Sequence, residues 1–221
     1  PPYKDKVRLL RDYLLRQIEH SRVQVQLNQP FSPDILDKEN VDYVIIATGS
    51  KPIAPAVRGW NSSFCPGLDD VLTQRIIIEN RKVVIVGGGS NGCEVADFLL
   101  NYNNQICIVE KQDYLASDME KKNRRDLMNR LEKGWVKKKT ASQVLEVKPG
   151  AVLIGTNSGE EYWLEADYIV NAAGFVSNNG LYINVQAQHP NVYLIGDAFE
   201  IGGFKQAFLQ GAMLAQRLNR V

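Results

Sequence analysis

The sequence predicts an α/β fold in which a parallel sheet with helices is joined to an antiparallel β-meander. A β-branched run over residues 83–86 leads into glycines within residues 87–92, and an amphipathic segment and a second apolar run at residues 106–109 follow. This order indicates a strand, a helix and a second strand parallel to the first. Three later segments alternate apolar and polar residues, as strands of a meander do: residues 142–147, 152–156 and 161–164.

Residues 87–92 read Gly-Gly-Gly-Ser-Asn-Gly, which is the G-x-G-x-x-G pattern between a strand and a helix. In such a unit Gly87 permits the tight turn, Gly89 lets the backbone approach a pyrophosphate, and Gly92 lets the helix lie close to the sheet. The first amides of the helix favour the negative charge of phosphates. The pattern predicts a Rossmann-like dinucleotide-binding unit, with a merely tight glycine turn as the alternative. The expected contacts are Gly87, Gly88, Gly89, Ser90, Asn91, Gly92 and Glu94.

Glu110 follows the second apolar run directly. An acidic side chain at this place accepts hydrogen bonds from the adenosine ribose hydroxyls, and its carboxylate repels a 2′-phosphate. The sequence therefore favours NAD over NADP. Lys111 is adjacent and could bind a phosphate, so NADP stays open as the less favoured cofactor. The other alternative for Glu110 is a solvated acid at the end of a strand.

Composition narrows the class of protein. The 221 residues carry 26 basic and 25 acidic side chains, and this balance gives no electrostatic reason to expect nucleic acid as a partner. The apolar runs have only strand length and the start of the chain lacks a signal-peptide pattern, so we expect no membrane partner and a cytoplasmic location. A first residue other than Met suggests a segment of a longer protein.

The cysteines and histidines form no reactive or metal-binding pattern. Cys65, Cys93 and Cys107 are far apart and make no C-x-x-C pair, so we expect neither a redox dithiol nor a metal or iron–sulfur site built by this chain. Cys93 and Cys107 fall at apolar helix and strand positions and are predicted to be core residues. His20 and His189 have no nucleophile or carboxylate at a recognisable spacing. The sequence therefore predicts no catalytic side chain.

Periodicity and turn chemistry predict the remaining elements. An apolar stripe within residues 4–20 predicts an amphipathic helix, and alternation over residues 23–27 predicts a strand. Ser32 followed by proline predicts a short helix to about Lys38. Residues 117–120 form a capping box that predicts a charged helix to about Lys133. Strands that end in small residues are predicted at 43–49, 168–174 and 192–197, followed by a helix at 204–218.

The order of these segments resembles that of the flavoprotein reductases with two dinucleotide domains, the pyridine nucleotide-disulphide oxidoreductase-like group. The segments are Ala47-Thr-Gly49, the glycine pattern, Ala173-Gly174 and Gly196-Asp197. In that group an NAD(P)-binding domain is inserted into an FAD-binding domain. The stretches that begin at Asp42, Gly87 and Tyr193 are most similar to the C-terminal part of the 2,4-dienoyl-CoA reductase, enoate reductase and trimethylamine dehydrogenase group.

The resemblance implies roles for residues outside the glycine pattern. Ala47, Thr48 and Gly49 would pass beside FAD, and Asp197 would hydrogen-bond the flavin ribityl chain. The first amides of the last predicted helix would point at the flavin pyrimidine edge. The implied NAD contacts beyond the glycine pattern are Glu110, Lys111, Ala173 and Gly174. The implied FAD contacts are Ala47, Thr48, Gly49, Gly196, Asp197, Lys205 and Gln206.

The resemblance also implies a domain organisation. A partial FAD-binding domain would cover residues 1–75, an NAD(P)-binding domain 76–178, and a second FAD-binding segment 179–221. Because the sequence holds no second glycine fingerprint, we expect this FAD-binding domain to be truncated. FAD would be bound in the full-length parent, FMN and an iron–sulfur cluster would lie on its other parts, and its N-terminal flavin barrel would be the protein partner.

The expected function is that of the nicotinamide dinucleotide-binding fragment of an NADH-dependent flavin oxidoreductase. In the parent enzyme hydride would pass from NADH to FAD, and the isolated fragment would be inactive. One alternative is a non-catalytic ADP-binding module of the trimethylamine dehydrogenase type. The other is an NADH oxidase or a ferredoxin reductase of the same superfamily.

Overall fold

The computed structural model describes residues 2–32, 35–36, 41–61 and 64–219. Within these ranges the α-helices are α1 (Asp5–Glu19), α2 (Leu68–Leu72), α3 (Ser90–Leu100), α4 (Lys121–Lys133), α5 (Gly180–Gln186) and α6 (Phe204–Leu218). No helix in the described ranges is long and apolar enough to cross a membrane. The helices predicted within 4–20, after the glycine pattern and at 204–218 are confirmed as α1, α3 and α6.

The strands follow the predicted order closely. They are β1 (Val44–Ile46), β2 (Ser50–Pro52), β3 (Lys82–Val86), β4 (Gln105–Val109), β5 (Lys137–Lys139), β6 (Ser142–Lys148), β7 (Ala151–Thr156), β8 (Glu161–Glu165), β9 (Tyr168–Asn171), β10 (Phe175–Ser177) and β11 (Val192–Leu194). The predicted α/β fold with an antiparallel meander is confirmed. The chain divides into two compact units, one of Pro1–Gln17 with Ile53–Gly174 and the other of Ile18–Pro52 with Phe175–Val221.

The first unit is built on a four-stranded parallel sheet. Its strand order is β5-β4-β3-β9, and Val86 at the end of β3 lies opposite Val109 of β4 and Asn171 of β9. The carboxyl ends of β3, β4 and β9 therefore meet at one edge of the sheet. Helix α3 buries its apolar face and packs against α2, α4 and the sheet. Exclusion of these apolar side chains from water is the main force that holds the edge in place.

The meander of the first unit consists of β6, β7 and β8, paired antiparallel in that order. Val144, Val152 and Ile154 from the meander share one buried core with Val84 and Cys107 of the parallel sheet. The meander is thus part of the same folded unit as the strands that flank the glycine turn.

The second unit contains two short pairs of strands. Strands β1 and β11 are parallel, with Ile46 opposite Leu194, and β2 and β10 are antiparallel. Val44, Ile46 and Val185 form its buried cluster, so α5 covers the β1–β11 pair. The chain leaves β1 and β11 at the same edge, because parallel strands have their carboxyl ends on one side.

Two local predictions are wrong. Residues 23–27 form no strand, and Val23, Val25 and Leu27 are between 58% and 80% exposed. Alternation alone does not make a strand, because the backbone also needs a neighbouring strand for its hydrogen bonds, and the described residues provide none there. The charged helix to about Lys133 is confirmed as α4, but its capping box at 117–120 is wrong, since Glu120 itself caps α4 by accepting from the amides of Lys122 and Asn123. Most of the helix predicted from Ser32 to about Lys38 lies outside the described residues.

Candidate functional site

The turn between β3 and α3 requires glycine at its two ends. Gly87 has a φ of +107°, and a Cβ there would lie 2.2 Å from the carbonyl oxygen of Ala172. A Cβ at Gly92 would lie 2.0 Å from the carbonyl oxygen of Gly87. Side chains at these positions would force the helix off the sheet. The steric roles that the sequence gives to Gly87 and Gly92 match this geometry.

The two inner glycines differ from each other. A Cβ at Gly88 would lie 2.4 Å from a methyl of Leu115 and 2.8 Å from the Cβ of Glu110, so this glycine is needed for packing. Gly89 has an ordinary φ of −64°, and a Cβ there would meet only the carboxylate of Asp118, at 3.7 to 4.0 Å. The face of Gly89 at the start of α3 therefore has room for a ligand group.

The first residues of α3 present their polar groups around this opening. The N-cap residue of α3 is Gly89, so no side chain of the N-cap bonds to the first amides of the helix. Asn91 is exposed. The amide and the hydroxyl of Ser90 both donate to Asp118, at 2.8 and 2.6 Å. Glu94 forms an ion pair of 2.7 Å with Lys4 of α1.

Glu110 lies at the carboxyl end of β4, directly beside the glycine turn. Its Oε2 accepts from the amide of Gly88 at 2.5 Å, and its Oε1 accepts from the amide of Gln112 at 2.8 Å. A carboxylate has about four acceptor positions, so two amides leave capacity for ribose hydroxyls. Lys111 next to it is exposed.

The carboxyl end of β9 completes the same edge. Ala173 is exposed, its amide donates to Oδ1 of Asn171 at 3.2 Å, and Gly174 has a φ of +116°. The side-chain amide of Asn171 donates to the carbonyl of Ile53 at 2.8 Å. The structure thus brings three predicted segments together, and it adds Asn171 as a residue that holds the end of β9.

A polar cavity of about 500 Å³ lies beside β5, the strand that pairs with β4 in the parallel sheet. The amide of Glu110 donates to the carbonyl of Lys139, and the amide of Ser142 donates to the carbonyl of Glu110, at 2.9 Å each. Lys139 also stacks its ammonium group over the ring of Tyr162. Sequence reasoning did not find this cavity, because its walls come from separate strands. Its lining residues are Lys138, Lys139, Thr140, Ser142, Thr156, Glu160 and Tyr162.

The three cysteine thiols are free and buried in the core. Burial raises the pKa of the Cys93 thiol to about 12 from the ordinary 9.0, and its Sγ donates to the carbonyl of Gly88 at 3.3 Å. Burial also raises the pKa of Cys65 and Cys107. The prediction that Cys93 and Cys107 are core residues is confirmed, since both are buried. Within the described ranges no group of three or more His, Cys, Asp or Glu side chains could hold a metal ion.

In the second unit the predicted flavin residues gather at the ends of β1 and β11. Ala47, Thr48 and Gly49 follow β1, while Gly196 and Asp197 follow β11 and begin a short 3-10 helix. Because these strands are parallel neighbours, the two segments lie at one edge.

Several polar groups of that edge already form hydrogen bonds with other groups of the same chain. Thr48 donates its hydroxyl to the carbonyl of Asn178 at 2.6 Å, and Asp197 accepts from the amide of Gly202 at 3.1 Å. Gln210, which the sequence did not single out, accepts from the amide of Gly196 at 2.6 Å. Lys205 and Gln206 lie exposed in the first turn of α6.

Comparison with known proteins identifies relatives of the whole chain. Residues 16–216 match the pyridine nucleotide-disulphide oxidoreductase family. The NADH oxidase of Thermoanaerobacter brockii is 29% identical over 98% of the chain and 34% of that protein. The cinnamate reductase of Clostridium sporogenes is 28% identical over 99% of the chain and 33% of that protein. The chain therefore spans about a third of the length of each of these two relatives.

Solved structures agree with this assignment. A 2-naphthoyl-CoA reductase superposes with a TM-score of 0.83 at 26% identity, over 90% of this chain and 30% of that one. Histamine dehydrogenase from Rhizobium sp. 4-9 has a TM-score of 0.82 at 19% identity, over 95% of this chain and 36% of that one, and shows the shared fold.

Proposed function

The chain belongs to the pyridine nucleotide-disulphide oxidoreductase family, and from that premise we propose that it is the nicotinamide dinucleotide-binding part of an NADH-dependent flavin oxidoreductase. The observation that carries the proposal is the meeting of the glycine turn, Glu110 and the Ala173–Gly174 segment at one edge of the parallel sheet. Ligands of open α/β sheets bind at the carboxyl ends of the strands. The similarity to a cinnamate reductase and a 2-naphthoyl-CoA reductase favours the 2,4-dienoyl-CoA and enoate reductase type.

In the proposed site, groups of the first unit would contact each part of a dinucleotide. The open face of Gly89 and the start of α3 would take the pyrophosphate, where amides and the helix dipole favour negative charge. Glu110 would accept from the adenosine ribose, and the neighbouring polar cavity gives room beyond it. Ala173 and Gly174, on the other side of the turn, would lie toward the nicotinamide. NAD is the expected cofactor because Glu110 repels a 2′-phosphate.

The second unit would contribute part of an FAD site through Ala47–Gly49, Gly196, Asp197 and the start of α6. The nicotinamide and the flavin supply the hydride chemistry when bound, and the chain contributes binding and orientation. In this proposal residues 1–75 and 179–221 belong to the FAD-binding domain and residues 76–178 to the NAD-binding domain. The compact units divide elsewhere, because Pro1–Gln17 and Ile53–Gly174 form the first unit. The final substrate, FMN, an iron–sulfur cluster and the barrel partner belong to the longer enzyme.

The test is calorimetric titration of NADH into the chain and into the Gly89→Val variant. A branched side chain at Gly89 would occupy the space proposed for the pyrophosphate, while its backbone φ permits any residue. We expect the affinity to fall more than tenfold, or about 1.4 kcal/mol. Gly180→Val is the matched control, since a Cβ at Gly180 meets nothing within 4 Å.

Circular dichroism and thermal unfolding are used to check that both variants fold. Unchanged NADH affinity in folded Gly89→Val contradicts the proposed site. A parallel titration with ADP distinguishes the alternative of a non-catalytic module, because such a module binds ADP at least as tightly as NADH.

A further inference from the structure

The carboxylate of Asp118 lies at the place where the proposed ligand needs positive potential. One of its oxygens accepts from the amide of Ser90 at 2.8 Å, and the other accepts from the Ser90 hydroxyl at 2.6 Å. Ser90 is the first residue of α3, and its amide has no partner within the helix. The same carboxylate is the group nearest to the open face of Gly89. Asp118 thus occupies an amide at the start of α3 that a phosphate would otherwise bind.

The chain segment before Asp118 is firmly attached to the glycine turn. The amide of Ala116 donates to the carbonyl of Gly88 at 2.7 Å, and the buried side chain of Leu115 packs on Gly88. Arg124 donates to the carbonyl of Leu115 at 2.7 Å. The backbone therefore brings the Asp118 carboxylate to Ser90, although Asp118 itself is exposed and its side chain is able to rotate away.

No Lys or Arg among the described residues forms an ion pair with Asp118. Its charge is balanced by the amide and hydroxyl of Ser90 and by the helix dipole. A pyrophosphate that approaches the same amides brings further negative charge, and like charges at close range repel. The two anions compete for the Ser90 amide, because it has a single N–H to donate.

We infer that Asp118 is a specificity-determining residue that competes with phosphate-bearing ligands for the start of α3. This inference rests on the proposed dinucleotide site of the first unit. A nucleotide that places its phosphates there displaces the carboxylate or loses the Ser90 contacts, and its affinity falls in either case. Adenosine, which has no phosphate, does not meet this competition. Asp118 therefore sets how tightly the site holds a dinucleotide.

The test compares the chain with Asp118→Ala by calorimetric titration of NADH, ADP and adenosine. We expect Asp118→Ala to bind NADH and ADP at least threefold more tightly and adenosine unchanged. The matched control is Asp113→Ala, which removes the same charge from an exposed position of the same loop. Asp118→Asn keeps an oxygen for the Ser90 amide and serves as the second variant, with the same direction of change, if alanine lowers the stability.

The outcomes separate this inference from the proposed function. Equal or weaker NADH binding by folded Asp118→Ala, with clear binding by the wild type, overturns the inference and leaves the dinucleotide site in place. Tighter binding by Asp113→Ala as well shows a general charge effect and also overturns it. Absence of NADH and ADP binding in wild type and variants alike overturns both. Binding by Asp118→Ala alone supports both.

Discussion

At the scale of single residues, each glycine of the 87–92 segment has its own steric reason. Gly87 and Gly92 have no room for a side chain, because a Cβ would lie about 2 Å from a backbone oxygen. Gly88 is fixed by contact with Leu115, whereas a Cβ at Gly89 would meet only the Asp118 carboxylate, at ordinary contact distance. Only the last of these can be substituted to probe a ligand without an immediate steric conflict in the folded chain.

In the proposed site, Glu110 would set the preference between NADH and NADPH. We expect Glu110→Gln to reduce the preference for NADH over NADPH at least threefold, because the amide retains an acceptor for the ribose but does not repel a 2′-phosphate. Calorimetric dissociation constants for both nucleotides measure this ratio. Glu132→Gln on α4 is the control for loss of one exposed carboxylate. Wild-type affinity for NADPH equal to that for NADH would contradict the role of Glu110.

The sequence could predict part of this site but not all of it. Gly87, Gly92 and Glu110 belong to a local pattern whose spacing determines their geometry. The contact of Asp118 with Ser90 joins residues 28 positions apart, through an exposed loop that has no periodicity. Asn171 and the cavity lining likewise depend on which strands become neighbours. Such contacts follow from tertiary packing and not from local sequence.

At the scale of elements, prediction succeeds where burial and periodicity agree. Strands β3 and β4 are β-branched runs that are buried on both faces, and the meander strands alternate and pair with one another. Residues 23–27 have the alternation but no neighbouring strand in the described ranges. Within the predicted capping box at 117–120, Asp118 accepts a hydrogen bond from Ser90 of α3. Glu120 is the residue that caps α4.

One ion pair joins α3 to α4. Asp97 of α3 is buried, with 7% of its side chain exposed, and accepts from the guanidinium of Arg130 at 2.9 to 3.1 Å. We expect Arg130→Met to lower the free energy of unfolding by about 2 kcal/mol, below the 3 to 5 kcal/mol typical of a fully buried pair, because 33% of the Arg130 side chain is exposed. Chemical denaturation measures this change.

Two further variants make the ion-pair prediction specific. Arg125→Met, on an exposed position of the same helix, should change stability by no more than about 0.5 kcal/mol. Asp97→Leu combined with Arg130→Met should recover at least half of the loss, because it removes the unpaired buried carboxylate. A loss below 0.5 kcal/mol in Arg130→Met would show that the pair does not stabilise the contact of the two helices.

At the scale of the whole molecule, the two units differ in what they offer a cofactor. The first unit has a complete strand, glycine turn and helix, with an acid at the end of the next strand. The second has a two-stranded parallel pair that ends in small residues, and neither strand leads into a glycine fingerprint. The chain also spans only about a third of the length of the NADH oxidase and the cinnamate reductase that it resembles. In the proposal, this chain therefore binds NAD, and the rest of a longer enzyme completes the FAD site.

We therefore expect the purified chain to bind no FAD. The residues proposed for the flavin lie at one edge, and Thr48 and Asp197 already hydrogen-bond to protein groups there. A few remaining hydrogen bonds of roughly 1 kcal/mol each do not offset the cost of ordering so large a ligand without an anchor for its pyrophosphate. The chain should be colourless after gel filtration, and with added FAD it should oxidise NADH no faster than free flavin. A stoichiometric yellow chromophore that survives gel filtration would show that the second unit anchors FAD by other contacts.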